Sequence, residues 1–266
     1  MPLTEELNAA LSSFAAEDRV LVCLDFDGCV AELVADALQA RPVPANAEAI
    51  QRLAGLDGVD LAYVSGRPLQ TLRELSSPPP GTLLIGSHGA ETDLTGGTGS
   101  AGSQPPDSGL NLSPAQQAAR TEVLETLEAI AAEHDGAWVE HKPAGGAIHV
   151  RHIDDDAYAE RVLDEARAAL AVIDGAHAKE GKKILEAVVV TSTKGEAIQL
   201  LRERLQPQAV FFAGDDVTDE HGFAVLGEGD IGVKVGPGET GARHRIPDPS
   251  SLAEVLNRLA DLRAAR

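Results

Sequence analysis

Apolar runs and helical patterns alternate along the first ninety residues. A continuously apolar run occurs at 20–25 (VLVCLD), a second apolar run at 59–68 (VDLAYVSGRP) ends in a turn, and a third at 81–91 (GTLLIGSHGAE) ends in a glycine-rich stretch. Such runs are typical of strands that are buried on both faces of a parallel sheet. Between them, residues 46–56 (NAEAIQRLAGL) and 68–76 (PLQTLRELS) have helical spacing. This alternation predicts a doubly wound α/β sheet.

The pattern changes after residue 94. Residues 95–113 are rich in Gly, Ser and Pro and predict a mobile loop or linker. Residues 113–134 predict an amphipathic helix with Ser113 as its N-cap and Pro114 in its first turn. The stretches AWVEHKP, GGAIHVRHI and KKILEAVVV alternate like antiparallel strands, and DDDAYAERVLDEARAALAV between them is helical in pattern. A small α+β module over residues 112–185 is therefore predicted.

The first pattern then returns. Residues 193–205 (TKGEAIQLLRERL) predict a helix, 209–216 (AVFFAGDD) and 230–236 (DIGVKVG) predict strands, and SSLAEVLNRLADLRAA predicts a C-terminal helix. We therefore expect an α/β core formed by residues 1–111 and 186–266, into which the α+β module is inserted.

Length and composition limit the possible classes of protein. The chain has 266 residues, of which 43% are hydrophobic, enough for a core of this kind. It contains no run of about 18 apolar residues, and its acidic N-terminal stretch lacks the basic start of a signal peptide. The two cysteines, Cys23 and Cys29, do not form a disulfide framework. We expect a cytoplasmic protein that spans no membrane.

The charge pattern bears on the class of ligand. A formal net charge of −20 argues against nucleic acid binding, which depends on many Lys and Arg contacts to phosphate. The same average field would repel an anionic substrate. Five of the six lysines, however, lie between residues 142 and 194, and they form either a solvated surface or a local cationic pocket: Lys142, Lys179, Lys182, Lys183 and Lys194.

Four strand or helix ends of the predicted core carry reactive side chains. They are Asp25 and Asp27; Ser65, Gly66 and Arg67; Lys194; and Asp215, Asp216 and Asp219 of GDDVTDE. Each group alone has a simpler explanation as a turn former, a helix cap or a solvated charge. In open α/β sheets, however, ligands bind outside the carboxyl ends of the strands. Their joint occurrence at such ends favours one common site.

These residue types suit phosphoryl transfer assisted by a divalent cation. Carboxylates of Asp25 and Asp215 can bind Mg²⁺, and a carboxylate can also attack phosphorus. Lys194, the Ser65 hydroxyl and nearby backbone N–H groups can stabilise the phosphoryl oxygens. Asp27 can protonate a leaving oxygen and later deprotonate water.

The order of these motifs resembles that of the haloacid dehalogenase-like phosphatases. The resemblance implies that Asp25 is the nucleophile and that Asp27 is the general acid and base. It also implies that Ser65, Gly66, Arg67 and Lys194 bind the phosphate, and that Lys194 is a catalytic residue. The metal would be held by Asp25, the carbonyl of Asp27 and Asp215, with Asp216 or Asp219 holding a water on it.

Over about residues 20–260 the chain resembles trehalose-6-phosphate phosphatases. The similar segments are LDFDG, VSGRP, GSHGAE, VEHKP followed by IHVRH, GKKILE and FFAGDDVTDE. The resemblance implies Mg²⁺-dependent hydrolysis of trehalose 6-phosphate through an aspartyl phosphate, with the inserted module acting as a cap over the sugar. It implies that Glu140, Lys142 and Glu186 bind sugar hydroxyls, and that Arg151 and Lys182 face the phosphate side. The alternative is ordinary charge on a strand surface.

The chain departs from the family pattern at residue 29, and two other functions are possible. Cys29 stands where the family commonly has Thr, so a hydroxyl that could orient the loop is missing, but both carboxylates remain. The alternatives are a capped phosphatase for sucrose phosphate or mannosyl phosphoglycerate, and an inactive regulator that binds a sugar phosphate. The intact set of Asp25, Asp27, Lys194 and Asp215 argues against an inactive protein. We expect a monomer whose partner is a small sugar phosphate.

Overall fold

The computed structural model describes residues 3–95, 108–109 and 112–266. The chain divides into two compact units, one within Met1–Gly109 and Ser192–Arg266 and the other within Leu110–Thr191. The boundary predicted at residue 185 falls inside a strand, Ile184–Val188, and all five residues of that strand pair within the second unit. The role of the second unit as a cap remains a prediction.

The strands and helices of the described residues are numbered along the chain. The strands are β1 (Val20–Leu24), β2 (Val59–Val64), β3 (Leu83–Gly86), β4 (Glu91–Asp93), β5 (Ser108–Gly109), β6 (Trp138–Lys142), β7 (Gly145–His149), β8 (His177–Gly181), β9 (Ile184–Val188), β10 (Ala209–Gly214), β11 (Ile231–Val235) and β12 (His244–Ile246). The helices are α1 (Glu5–Ala15), α2 (Pro44–Ala54), α3 (Leu69–Ser76), α4 (Pro114–Glu133), α5 (Asp156–Leu170), α6 (Lys194–Leu205), α7 (Glu220–Ala224) and α8 (Leu252–Ala264).

The first unit contains an eight-stranded sheet in the order β12-β11-β10-β1-β2-β3-β4-β5. The strands from β12 to β3 are parallel, and β4 and β5 extend the sheet in antiparallel pairing. The predicted doubly wound α/β fold is confirmed. β1 lies in the middle of the parallel part, between β10 and β2.

Side chains that alternate along β1 enter two separate cores. Val20, Val22 and Leu24 pack with α1, α2, α3 and α8, whereas Leu21 and Cys23 pack with α6 and α7. Successive side chains of a strand point to opposite faces, and here both faces are covered by helices. This arrangement explains why the strand has a continuous apolar sequence instead of an alternating one.

The same arrangement positions the candidate site. β10, β1 and β2 are parallel neighbours, so their carboxyl ends lie along one edge of the sheet. Asp215, Asp25 and Ser65 are the residues that follow these three strands directly. The sheet topology therefore brings residues that are far apart in sequence to one edge.

The second unit is built on an antiparallel sheet in the order β6-β7-β9-β8. One face packs against α4 and α5 through a core that includes Val123, Leu127, Ile148, Val162 and Leu185. The predicted start of α4 is confirmed, because Ser113 and Gln116 form a capping box and Pro114 occupies the first turn.

Two local features differ from the sequence prediction. β8 (HAKEG) was not predicted, since it is an exposed edge strand with no apolar alternation to mark it. In the Gly/Ser/Pro-rich segment, Ser108–Gly109 pairs with β4 as a short strand instead of lying in a loop. The rest of that segment, residues 96–107 and 110–111, lies outside the described residues.

Both cysteines are free thiols buried in the first unit. Burial raises the pKa of each thiol above its usual value. The cytoplasmic setting and the monomeric state expected from the sequence remain predictions. Within the described part of the chain, every helix is too short or too polar to cross a lipid bilayer.

Arg263 ties together the edge of the sheet opposite the candidate site. Its side chain reaches from α8 to backbone carbonyls just before β1 and just before β2, and the residue is only 7% exposed. The guanidinium donates to Ala15 O at 3.2 Å, Asp18 O at 3.2 Å, Asp57 O at 2.8 Å and also to Glu17 O. These contacts join α8 to the segments that lead into β1 and β2.

Replacing Arg263 by Ala should lower the free energy of unfolding by about 2–4 kcal/mol, because four backbone carbonyls lose a charged donor that is itself buried. Urea denaturation followed by circular dichroism measures this loss. Arg266→Ala is the matched control, since Arg266 also contacts Glu17 and Asp18 but is more exposed, and its loss should cost less than about 1 kcal/mol. Equal losses in the two variants would show that burial of the guanidinium contributes nothing.

Candidate active site

A cavity of about 710 Å³ opens at the carboxyl ends of the parallel strands in the first unit. It brings together all of the site residues that were predicted in this unit. They are Asp25, Asp27, Ser65, Gly66, Arg67, Lys194, Asp215 and Asp216. The sequence analysis did not single out the other lining residues, which are Leu33, Val34, Ala37, Pro68, His88 and Thr218.

A buried lysine joins two carboxylates at the floor of the cavity. The Nζ atom of Lys194 lies 2.8 Å from Oδ1 of Asp25 and 2.7 Å from Oδ1 of Asp219. All three side chains are almost fully buried. Burial lowers the pKa of Lys194, but the two carboxylates raise it by more, so the net pKa lies above its usual value. The ammonium group is therefore held in its charged form.

Asp219 also fixes the loop that carries the other acids. Its Oδ2 atom accepts hydrogen bonds from the backbone N–H groups of Asp215 and Asp216, each at 2.9 Å. Because its Oδ1 atom binds Lys194, both of its oxygens are engaged within the protein. Asp219 thus links Lys194 to the position of Asp215. Its spacing in GDDVTDE was visible in the sequence, but this double contact was not.

Three carboxylates form an acidic cluster in the cavity. One oxygen from each of Asp25, Asp215 and Asp219 lies within 4.8 Å of the others. Burial raises the pKa of Asp25, and Lys194 opposes that rise. Burial and the charge of Asp219 likewise raise the pKa of Asp215. Carboxylates that crowd together in a buried place resist full ionisation unless a cation joins them.

The donor set fits a hard divalent cation. Oxygen ligands on one or two carboxylates are what Mg²⁺ prefers, together with phosphate and water. Asp25 and Asp215 supply such oxygens, whereas Asp219 is already engaged with Lys194 and two amides. Asp216 lines the cavity, and its Oδ1 atom accepts the Val217 N–H at 2.6 Å.

Asp27 and Arg67 form a two-pronged ion pair at the wall of the cavity. Nε of Arg67 donates to Oδ2 of Asp27 at 2.6 Å, and its Nη2 donates to Oδ1 at 2.6 Å. The guanidinium carbon also lies 5.5 Å from the centre of the Phe26 ring. Two parallel hydrogen bonds fix the plane of a carboxylate as well as its position. Arg67, which was predicted to bind substrate, is here directed at Asp27.

Ser65, Gly66 and His88 line a neighbouring part of the wall. Ser65 is buried, and its Oγ atom accepts the N–H of Arg67 at 3.2 Å. The imidazole of His88 lies so close to Gly66 that a Cβ atom there would meet its Cε1 at 2.5 Å. Ser87 and His88 both have left-handed backbone dihedrals, with φ of 48° and 58°. The position of His88 after β3, another strand end, was the signal that could have identified it.

The remaining predicted residues lie on the second unit. Glu140 and Lys142 are on β6, and Glu186 is on β9, with side chains on the same face of the sheet by register. Nζ of Lys142 lies 2.8 Å from Oε1 of Glu186. Arg151 and Lys182 are exposed and lie just beyond β7 and just before β9, at one end of the sheet. Glu140, Lys142 and Glu186 thus share one face of the sheet, and Arg151 and Lys182 lie at one end of it. Which ligand these residues bind remains a prediction.

Comparison with known proteins identifies a family. The family model for trehalose-phosphatase matches residues 23–255. The bifunctional trehalose-6-phosphate synthase/phosphatase of Thermoproteus tenax is 33% identical over 252 residues, which cover 93% of this chain and 33% of that protein. The trehalose-phosphate phosphatase of Mycobacterium marinum is 30% identical over 271 residues, covering 96% of this chain and 66% of that protein.

A solved structure shares the fold. The trehalose-6-phosphate phosphatase of Aspergillus fumigatus superimposes with a TM-score of 0.68 at 23% identity, with all of both chains covered. At this identity the likeness establishes the fold alone. The chain spans only part of the two curated relatives described above, one third of one and 66% of the other.

Gly28 packs closely against the carboxylate of Asp215. It has φ of +72°, and a Cβ atom would lie 2.1 Å from Oδ2 of Asp215. Gly28→Ala should displace that carboxylate and lower kcat on p-nitrophenyl phosphate by about tenfold or more, since a shift of about 1 Å in a reacting group has costs of this order. Steady-state phosphate release measures the change.

Gly229→Ala is the matched control for this variant. Gly229 has a similar φ of +87°, but a Cβ atom there would have nothing within 4 Å. Both variants pay the cost of a left-handed alanine, about 1 kcal/mol in unfolding free energy. Only Gly28→Ala should lose activity. If both variants keep full kcat, Asp215 has no fixed role in turnover.

Proposed function

The chain belongs to the trehalose-phosphatase family, and we propose that it hydrolyses trehalose 6-phosphate to trehalose and phosphate through an aspartyl phosphate on Asp25. One observation carries the proposal. A buried carboxylate, Asp25, is held by Lys194 at 2.8 Å in a cavity that also contains Asp27 and Asp215. A protein that only bound a sugar phosphate would need neither a nucleophile nor an adjacent acid.

In the first step Asp25 acts as the nucleophile. Lys194 binds Oδ1 of Asp25 and so holds the carboxylate in place and favours its ionised form. A carboxylate oxygen of Asp25 forms a bond to phosphorus as the bond from phosphorus to the sugar oxygen breaks. Lys194, Ser65 and Gly66 line the cavity, and in the proposed mechanism the ammonium group, the hydroxyl and the Gly66 N–H bind the phosphoryl oxygens.

Asp27 is proposed to move the proton in both steps. It gives a proton to the departing sugar oxygen, and then takes one from the water that attacks the aspartyl phosphate. That attack breaks the bond between phosphorus and Asp25 and releases inorganic phosphate. Arg67 acts through Asp27, because both of its hydrogen bonds go to that carboxylate. Its role is to orient the acid, and one of these bonds must lengthen when Asp27 is protonated.

Mg²⁺ is the proposed cofactor. When bound, it supplies positive charge that offsets the charge of the phosphoryl oxygens and the attacking carboxylate. Asp25, Asp215 and the carbonyl of Asp27 would hold it, with Asp216 nearby. What supports this proposal is the crowding of Asp25 and Asp215 beside Asp219, which leaves more buried negative charge than Lys194 alone neutralises.

The second unit is proposed to supply sugar recognition as a cap. Glu140, Lys142 and Glu186 share one face of its sheet and offer the charged donors and acceptors that bind hydroxyl groups. Arg151 and Lys182 at the end of the sheet offer positive charge for the phosphate side. Binding energy from a part of the substrate remote from phosphorus can be used to orient the reacting group.

Phosphate release from a panel of sugar phosphates tests the proposed function. Trehalose 6-phosphate should give the highest kcat/KM, above sucrose phosphate and mannosyl phosphoglycerate.

EDTA should abolish phosphate release, and Mg²⁺ should restore it better than Ca²⁺, because the 6–8 ligands of Ca²⁺ distort the attack geometry.

Asp25→Asn should fold normally and lose more than about 10³-fold in kcat, since the amide is a poor nucleophile. Substantial activity in Asp25→Asn would exclude the aspartyl phosphate.

The role of Asp27 and Arg67 is tested with two leaving groups. A sugar alkoxide needs a proton as the bond breaks, whereas nitrophenolate needs little help. Asp27→Asn should therefore lower kcat on trehalose 6-phosphate about 10²- to 10⁴-fold, and much less on p-nitrophenyl phosphate.

Arg67→Lys is expected to show the same preference in weaker form. Lysine keeps the charge but cannot make the paired hydrogen bonds that orient Asp27. If Arg67 binds phosphate instead, Arg67→Lys should raise KM for both substrates alike and leave the leaving-group preference unchanged.

A further inference from the structure

The face of the second unit's sheet that points away from α4 and α5 is organised in rows. Register places Trp138, His149, Ile184 and Gly181 in one row across the four strands. The next row contains Glu140, Ala147, Glu186 and Lys179. Side chains of the opposite face, such as Ile148 and Leu185, pack against the unit's own helices instead. An aromatic row thus lies directly beside a charged row.

Trp138 is held in a fixed plane within the first row. Its indole stacks on the imidazole of His149, with ring centres 3.9 Å apart and an interplanar angle of 2°. His149 is buried, with 5% of its surface exposed, whereas Trp138 is 41% exposed. One face of the indole is thus covered by a buried ring, and part of the remaining aromatic surface is open.

The charged row fixes the supporting ring. Nε2 of His149 lies 3.0 Å from Oε2 of Glu140. Because a carboxylate only accepts hydrogen bonds, Nε2 carries the proton. The opposite nitrogen, Nδ1, is buried and makes no hydrogen bond to any described residue. The hydrogen bond to Glu140 therefore orients the imidazole of His149, and the stacking contact in turn orients the indole of Trp138.

An aromatic plane beside carboxylates and an ammonium group matches the chemistry of a pyranose ring. The ring C–H groups of a pyranose form an apolar face that packs on an aromatic surface, and its hydroxyls point outward to hydrogen-bonding groups. Glu140 and Glu186 provide such groups in the adjacent row, and Lys142 provides one in the row beyond it. Trp has the required amphipathic character.

We propose that Trp138 is a stacking surface for a pyranose ring of the substrate, oriented by His149. This proposal deepens the proposed function and rests on it, because it gives the sugar an apolar contact in addition to the polar ones. It assigns to β6 two successive outward side chains with different tasks. Trp138 packs on the ring, and Glu140 binds both a hydroxyl and the imidazole that supports the indole.

Tryptophan fluorescence provides a direct measurement, because the chain contains a single tryptophan. The Asp25→Asn variant, loaded with Mg²⁺, is titrated with trehalose 6-phosphate, trehalose, glucose 6-phosphate and inorganic phosphate. Calorimetry under the same conditions measures binding independently. We expect the emission of Trp138 to change in intensity and wavelength with the sugars, at the concentrations at which calorimetry detects binding, and to remain unchanged with inorganic phosphate.

Kinetics of the full chain give a second readout. Trp138→Ala should lower kcat/KM for trehalose 6-phosphate about tenfold more than for p-nitrophenyl phosphate, and Trp138→Phe should recover most of that difference by restoring an aromatic plane. Val172→Ala is the control, because Val172 is an apolar residue of the same unit that is 84% exposed. Val172→Ala should leave kcat/KM unchanged for both substrates.

The outcomes separate this proposal from the proposed function. If trehalose 6-phosphate binds and is hydrolysed while Trp138 emission stays constant and Trp138→Ala keeps its selectivity, the stacking proposal is wrong and the function stands. If trehalose 6-phosphate is not hydrolysed but glucose 6-phosphate changes the emission, the stacking site is supported and the substrate assignment is wrong. A constant emission with every sugar overturns the stacking proposal.

Discussion

The candidate site depends on one buried ion pair network, in which Lys194 lies between Asp25 and Asp219. The lysine begins α6, one aspartate follows β1, and the other belongs to the loop after β10. Charges buried this deeply are tolerated only when each has an opposite partner at short range. The network therefore does more than position one residue. It fixes the relation between three separate segments, and through the two amide hydrogen bonds of Asp219 it fixes the acidic loop as well.

Much of this could be predicted from the sequence, and the reason is topological. In a parallel sheet, residues that follow neighbouring strands meet at one edge, so Asp25, Ser65 and Asp215 could be assigned to one site once their strands were recognised. The fold class was predicted by the same strand and helix pattern. The sequence could not predict which way each side chain points within the site. Nothing in VSGRP indicates that the guanidinium of Arg67 turns toward Asp27.

Other features were missed because they have no periodic signal. β8 is an edge strand without apolar alternation, and His88 lies in the short turn after β3, outside any periodic pattern. The contact of Trp138 with His149 joins residues of two strands whose register is set by the sheet. Such contacts depend on cross-strand pairing, which becomes visible only when strand order and register are known.

The position of β1 in the sheet has a consequence for folding during synthesis on the ribosome. β1 is central, but one of its two partners, β10, comes much later, and Arg19 and Gln208 at the start of this pairing are 189 positions apart. Until β10 has been synthesised, one edge of β1 has no strand to pair with, and an open apolar edge invites association with other chains. A nascent chain must pass through this exposed stage with the whole second unit already made. Because a pairing of such long sequence separation forms late, we expect refolding in vitro to be slow.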